Sequence, residues 1–129
     1  MGGAKARKIR ILLVGSSAIS QVIQHLFHNQ ADFEVVGSVR GLKSLAQHAD
    51  RLLPELIVAN VKPVRTGVCP AVIAIKQSSP YSKLILICPV GALIGAARKC
   101  GADACLDQEM LVRRLVPTAS ALSARVLPS

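Results

Sequence analysis

Five short apolar runs, separated by segments with helical spacing, constrain the fold of this chain more than any other feature. The runs cover residues 9–14, 33–39, 56–61, 83–88 and 104–106. Near-continuous apolar runs of this length are typical of parallel strands, because such strands are buried on both faces of a sheet. The alternation of strands and helices predicts an α/β domain of flavodoxin-like type. Its doubly wound, five-stranded parallel sheet has the order 2-1-3-4-5, with helices on both faces.

The segments between these runs carry apolar residues at intervals of three and four, which predicts a helix after each strand. A serine of the Gly15-Ser16-Ser17 turn is positioned to cap the first helix. Gly101 ends a short fourth helix, as glycine commonly does. Pro117 interrupts the last helix, and since proline removes a backbone donor we expect a kink or break near Val116, with the helix end detached from the core.

Length and hydropathy bound the organisation of the chain. Its 129 residues fit one domain. We expect a basic N-terminal arm over residues 1–8, a domain over residues 9–122, and a tail or linker over residues 123–129. Because no apolar run reaches about 18 residues and the N-terminus lacks a signal-peptide core, the sequence predicts a cytoplasmic protein without membrane contact.

The four cysteines, Cys69, Cys88, Cys100 and Cys105, form no CxxC pair and have no nearby histidine partner. This spacing argues against a zinc site, and we expect neither a metal nor a cofactor. Buried, reduced thiols are the favoured interpretation. A redox pair between Cys88 and Cys105, on strands predicted to be adjacent, is the weaker alternative.

Positive charge is concentrated at the N-terminus. The chain has 16 basic and seven acidic residues, and Lys5, Arg7, Lys8 and Arg10 all lie in the leading segment. A basic arm of this kind raises nonspecific affinity for nucleic acid. However, aromatic residues make up only 2% of the chain, which argues against a module that binds nucleic acid by stacking on bases.

The ordered set of motifs IRILLV, DFEVVGSV, PELIVANVK, SPYSKLILIC and KCGADACL resembles one known family. It is similar to the CheY-like receiver domains of bacterial two-component response regulators, and more narrowly to receivers of the LuxR and NarL type. The resemblance covers roughly residues 8–116. It implies a signalling domain rather than an enzyme.

The resemblance also implies where the phosphorylation site of the family would lie. The acidic pair that holds Mg²⁺ falls on Gly15 and Ser16, the phosphoacceptor on Asn60, the hydroxyl residue on Cys88, the lysine on Gln108 and the switch aromatic on Cys105. None of these positions carries the residue type that the family uses. Since Mg²⁺ needs carboxylate oxygens and phosphoryl transfer needs a nucleophilic carboxylate, we expect no catalytic residue and no aspartyl phosphorylation at position 60.

The favoured hypothesis is an atypical receiver domain that acts in signal transduction or transcription regulation through protein contacts, including a possible homodimer. In the family, the last helices and the fifth strand carry dimerisation and output. The expected contact face comprises Leu93, Ile94, Ala97, Arg98, Lys99, Arg113 and Arg114. The chain has no helix-turn-helix pattern, so DNA contact is expected only through an output domain that this chain does not contain.

Two alternatives remain open at this stage. Ser16, Ser17, Lys62 and Arg65 surround the altered crevice near Asn60, and helix N-terminal amides together with a cation favour a small anion or metabolite as ligand. The second alternative is a basic protein associated with nucleic acid. Asp107 or Glu109, at the start of the last helix, is expected to complement the helix dipole rather than to form an acid/base pair.

Overall fold

The strand order follows the sequence prediction. A computed structural model describes residues 8–60, 69–88 and 98–126, with side chains as far as residue 123. The strands are β1 Ile9–Val14, β2 Phe33–Val39, β3 Leu56–Asn60, β4 Lys83–Cys88 and β5 Ala104–Asp107. They form one parallel sheet in the order β2-β1-β3-β4-β5, which confirms the predicted topology.

Helices cover both faces of this sheet. They are α1 Ser17–His28, α2 Leu42–Leu52, α3 Cys69–Ser78 and α4 Leu111–Val126, with a 3-10 turn at Gln108–Met110 before α4. Buried residues of α1 and α4 pack on one face of the sheet, and those of α2 and α3 pack on the other. Successive residues of β1 contribute to opposite clusters, as the alternation of side chains along a strand requires.

Helix α4 differs from the sequence prediction. It runs without interruption from Leu111 to Val126 although Pro117 lies inside it. Leu115, Ala119 and Leu122 are buried on both sides of the proline, so the predicted break near Val116 and detached end are wrong. Pro117 lies on the exposed side, where the loss of one backbone hydrogen bond is offset by burial of the opposite side. Ser123, which the sequence assigned to a tail, lies in this helix and is buried.

Arg10 also differs from its sequence assignment to a leading basic segment. It lies in β1, is half-buried, and its Nε and Nη2 atoms donate to the Leu52 carbonyl at 3.0 and 2.7 Å. The guanidinium therefore satisfies a carbonyl at the C-terminus of α2, where a cation is also favoured by the helix dipole. Its charge stabilises the fold and is not part of a basic arm.

The cysteines fall into two pairs with different chemistry. Cys69 and Cys100 form a disulfide with their Cα atoms 5.3 Å apart, so the prediction of reduced thiols is wrong for these two residues. Sequence spacing could not reveal the pair because its members are 31 positions apart in the chain. Cys88 and Cys105 are free thiols, buried and half-buried respectively, and the redox pair considered for them is not formed.

Part of the predicted organisation lies outside the described residues. These undescribed parts include residues 1–7 of the arm and most of the predicted fourth helix, with Leu93, Ile94 and Ala97. Gly101, expected to end that helix, has a φ of +120° and directly follows Cys100. No helix within the described ranges is long and apolar enough to cross a membrane.

Candidate functional site

The carboxyl ends of β1 and β3 approach each other closely at Gly15 and Asn60. Gly15 has a φ of +144°, and a Cβ atom placed on it would lie 2.7 Å from the backbone oxygen of Asn60 and 3.1 Å from the Asn60 Cβ. Its own N–H donates to the Val39 carbonyl at 2.9 Å. Both the backbone conformation and the space favour glycine. Any side chain larger than that of glycine would require the end of β3 to shift at this position.

Asn60 is the last residue of β3 and is half-buried at this edge. It is paired with Ile87 of β4, so it lies between the ends of β1 and β4. Its amide is not a nucleophile for phosphoryl transfer. The strand end thus presents a neutral polar group in the crevice where ligands of such sheets commonly bind.

Ser16 serves as the N-cap of α1. Its backbone is extended, and its Oγ accepts a hydrogen bond from the Ile19 N–H at 3.5 Å. The sequence prediction of a serine cap is therefore confirmed. The first turn of α1 contains no acidic residue. Neither of the positions aligned with the acidic pair can supply a metal ligand of the family's type.

A cation lies at the rim of the crevice. Arg40 directly follows β2, and its Nη2 donates to the Ser17 Oγ at 3.1 Å. Arg40 was missed in the sequence analysis, although its position just after a predicted strand placed it at the same sheet edge as Asn60. Lys62 and Arg65, the cations that the sequence did suggest, lie outside the described residues. The described rim is therefore basic rather than acidic near α1.

The β4 and β5 side of the crevice holds the two free thiols and one carboxylate. Cys88 is paired with Asp107 across the strands, while Cys105 is paired with Leu86 and thus lies diagonally from Cys88. Burial, and then the negative charge of Asp107, raises the pKa of Cys88. Burial, and then Cys88, raises the pKa of Cys105 to about 11, against a lowering effect of Arg98. Both thiols are therefore protonated near neutral pH.

Asp107 has a structural role at the end of β5. One of its carboxylate oxygens accepts the Met110 N–H at 2.9 Å and so caps the 3-10 turn that leads into α4. This contact places Asp107 just before α4, where the sequence analysis expected an acidic residue to complement the helix dipole. Gln108, at the position aligned with the family's lysine, is exposed in the same turn. Within the described ranges no group of three histidine, cysteine or acidic residues is placed to hold a metal ion.

The expected contact face is described only in part. Arg98, Lys99, Arg113 and Arg114 are exposed, as a contact face requires. Val112 is 69% exposed beside the two α4 arginines. Sequence analysis did not identify Val112. Val112 lies three residues before the buried Leu115, so its spacing fits the buried face of the helix and the sequence carries no signal of its exposure.

Comparison with known proteins places this geometry in a structural class. No protein-family model and no curated protein sequence matches the chain. Among solved structures, it is similar to a LuxR-family two-component response regulator from Aurantimonas sp. SI85-9A1. The TM-score is 0.78 at 18% identity, and the alignment covers 91% of this chain and 86% of that one.

Two further structures show the same likeness. The response regulator domain of Thermotoga maritima CheB has a TM-score of 0.71 at 19% identity, covering 92% of this chain and 96% of that chain. The Salmonella typhimurium RcsB response regulator, studied for its DNA interaction, has a TM-score of 0.82 at 13% identity, covering 92% of this chain and 61% of that chain. The fold of this protein is accordingly that of the CheY-like receiver domains of two-component response regulators.

Proposed function

We propose that this chain is an atypical receiver domain that regulates through protein contacts and without aspartyl phosphorylation. The observation that carries the proposal is the approach of Gly15 to Asn60, where a Cβ would lie 2.7 Å from a backbone oxygen. The approach leaves no space for an acidic side chain beside the acceptor position. The acceptor position itself carries an amide.

The chemistry of phosphoryl transfer supports this proposal. Transfer requires a carboxylate nucleophile and a metal that neutralises charge on the transferred group. Mg²⁺ in turn prefers carboxylate oxygens in an octahedral arrangement. Gly15, Ser16 and Asn60 offer a backbone, a capping hydroxyl and an amide instead. We infer that the domain is not an enzyme and needs no metal.

The partners that fit this domain are proteins, including a second copy of the chain. Five exposed side chains are available to such a partner, namely Arg98, Lys99, Val112, Arg113 and Arg114. Arginine is one of the residue types that contribute most to binding at protein interfaces. The chain spans 61% of the RcsB chain that it resembles. We propose that any contact with DNA is made by a separate output domain.

Sedimentation of the purified chain over a concentration series tests the proposal. The series is run with and without Mg²⁺ plus acetyl phosphate or beryllofluoride. We expect self-association that is the same under both conditions, because the crevice lacks the ligands that would bind these additions. A shift that depends on the phosphodonor would contradict the proposal.

A matched pair of variants separates the acceptor from its surroundings. Asn60→Asp restores the carboxylate, and Asn60→Ala removes the polar group. We expect neither variant to gain a phosphoryl group from acetyl phosphate and Mg²⁺ in an intact-mass measurement, since Gly15 and Ser16 still supply no metal-binding carboxylate. If Asn60→Asp becomes phosphorylated, the surroundings retain the activity and only the acceptor is missing.

Sensing of a small anion is the second candidate function, and Arg40 is the observation that favours it. Its guanidinium lies against Ser17 at the start of α1, where an anion would also meet backbone amides. Titration calorimetry with inorganic phosphate tests it, with Arg40→Gln expected to abolish binding. Arg51→Gln, which changes an exposed arginine in the last turn of α2, is the control. A monomer that binds phosphate would favour this function over the first.

A further inference from the structure

The disulfide between Cys69 and Cys100 joins the two chain segments that leave the crevice strands. Cys69 is the first residue of α3 and follows β3 along the chain, whereas Cys100 follows β4. Asn60 and Cys88, the last residues of these strands, are the aligned acceptor and hydroxyl positions. The disulfide therefore connects the segment after β3 with the segment after β4, and the assigned phosphorylation site lies at the ends of these same two strands.

The cysteines are aligned by contacts that do not involve sulfur. Residues 69, 72 and 76 lie on one side of α3, at the i, i+3 and i+7 spacing of a helix face. Val72 lies 3.9 Å from the position of a Cβ on Gly101, and Lys76 Nζ forms an ion pair with Asp103 Oδ2 at 3.0 Å. Asp103 Oδ2 also accepts the Leu84 N–H at 2.8 Å. These contacts hold residues 100–103 against α3 and keep the two cysteines in register when the bond is open.

The position of Cys69 favours a bond that opens and closes. Backbone amides at a helix N-terminus stabilise a thiolate, and the first turn of α3 contains no acidic residue to oppose this effect. A stabilised thiolate makes the reduced form more favourable and the disulfide easier to reduce. Cys69 and Cys100 are both half-buried rather than fully buried, so small thiols can reach the disulfide. Cys88 and Cys105 have raised pKa values, so they form less thiolate and react more slowly in thiol–disulfide exchange.

We propose that Cys69 and Cys100 form a reversible redox site that controls how tightly α3 is joined to residues 98–103. In the oxidising direction, one cysteine thiolate attacks a low-molecular-weight disulfide such as oxidised glutathione and releases one glutathione thiol. The second cysteine thiolate then displaces the other glutathione, which leaves as a thiol, and the internal disulfide is formed. Two cysteine thiols are oxidised and one glutathione disulfide is reduced to two thiols.

Equilibration of the whole chain in mixtures of reduced and oxidised glutathione tests the site. Samples are quenched with acid and alkylated with a maleimide polymer, and the number of modified thiols is read on a denaturing gel. We expect the chain to change from four to two modified thiols as the proportion of oxidised glutathione rises, with Cys69 and Cys100 joined in the peptide map. A pair that stays fully oxidised or fully reduced at every ratio would overturn the proposal.

Variants show whether these two cysteines alone are responsible. Cys69→Ser and Cys100→Ser should each lose the transition, whereas the double change Cys88→Ser with Cys105→Ser should retain it. A transition that disappears only in the double variant would assign the redox chemistry to the crevice thiols and overturn the proposal. None of these results depends on Asn60 or on phosphodonors, so they are separate from the test of the proposed function.

Hydrogen exchange then measures the consequence for the fold. Among the amides that report on this contact, Gly101 donates to the Arg98 carbonyl and Asp103 donates to the Leu84 carbonyl at 3.0 Å. We expect their exchange to slow about tenfold or more on oxidation, because the cross-link removes locally opened states. Amides of Leu12 and Leu13 in β1 serve as the reference and should not change. Equal exchange in both redox states at Gly101 and Asp103 would show that the bond does not control this part of the fold.

Discussion

Gly15 is the residue whose geometry most directly supports the proposed absence of phosphorylation. We predict that Gly15→Ser lowers the free energy of unfolding by about 2 to 4 kcal/mol, because the new side chain combines an unfavourable φ with overlap at Asn60. The matched control is Gly41→Ser. Gly41 is an extended N-cap with nothing within 4 Å of its Cβ position, and serine is at least as good a cap. Urea denaturation of both variants checks this, and equal losses would refute the close approach at Gly15.

The raised pKa of Cys105 leads to a prediction about how the stability of the fold depends on pH. Its pKa is raised to about 11, so the native thiol remains protonated at pH values where an unfolded thiol has ionised. The folded chain then binds more protons than the unfolded chain, and the contribution of Cys105 to stability, present at neutral pH, is lost as pH rises from about 9 towards 11. We expect native alkylation by iodoacetamide at pH 8 to be much slower than in urea. Comparable rates would contradict the burial of this thiol.

The strands and helices of this protein were predictable from the sequence where a single local effect determines the structure. Apolar runs identified all five strands because parallel strands are buried on both faces, and the Ser16 cap followed from residue type and position. Pro117 was misjudged because the local penalty of proline, about 3 kcal/mol, was weighed without the burial of Ala119 and Leu122 beyond it. The Cys69–Cys100 pair and the role of Arg10 depend on contacts between distant segments, which local patterns cannot reveal.

At the junction of α3, β4 and β5, the hydrogen bond that Asp103 accepts from the Leu84 N–H contributes more to stability than its salt bridge with Lys76. The same oxygen accepts from Lys76 and from the Leu84 N–H, while Lys76 also donates to the Ser82 carbonyl at 3.1 Å. We predict that Asp103→Ala costs about 1 to 3 kcal/mol because it leaves a buried N–H without its acceptor. Lys76→Met should cost about 1 kcal/mol or less, since the pair is partly exposed. Chemical denaturation in low and high salt distinguishes these effects, and a larger loss for Lys76→Met would contradict this ranking.

At the scale of the whole molecule, the sheet separates two apolar clusters that must unfold together if the domain is cooperative. Leu12 and Leu13 are neighbours in β1, both fully buried, and belong to opposite clusters. We predict that Leu12→Ala and Leu13→Ala each cost about 2 to 5 kcal/mol, because each leaves a cavity in a packed core.

Both variants should retain a single unfolding transition by circular dichroism, with an unchanged dependence on urea, because the strands are shared by the two clusters. The exposed Tyr81→Ala is the control and should change stability by less than about 0.5 kcal/mol. A small loss for only one of the two leucines would show that one face of the sheet is poorly packed. A loss for Tyr81→Ala as large as that of either leucine would contradict the assignment of stability to the two buried clusters.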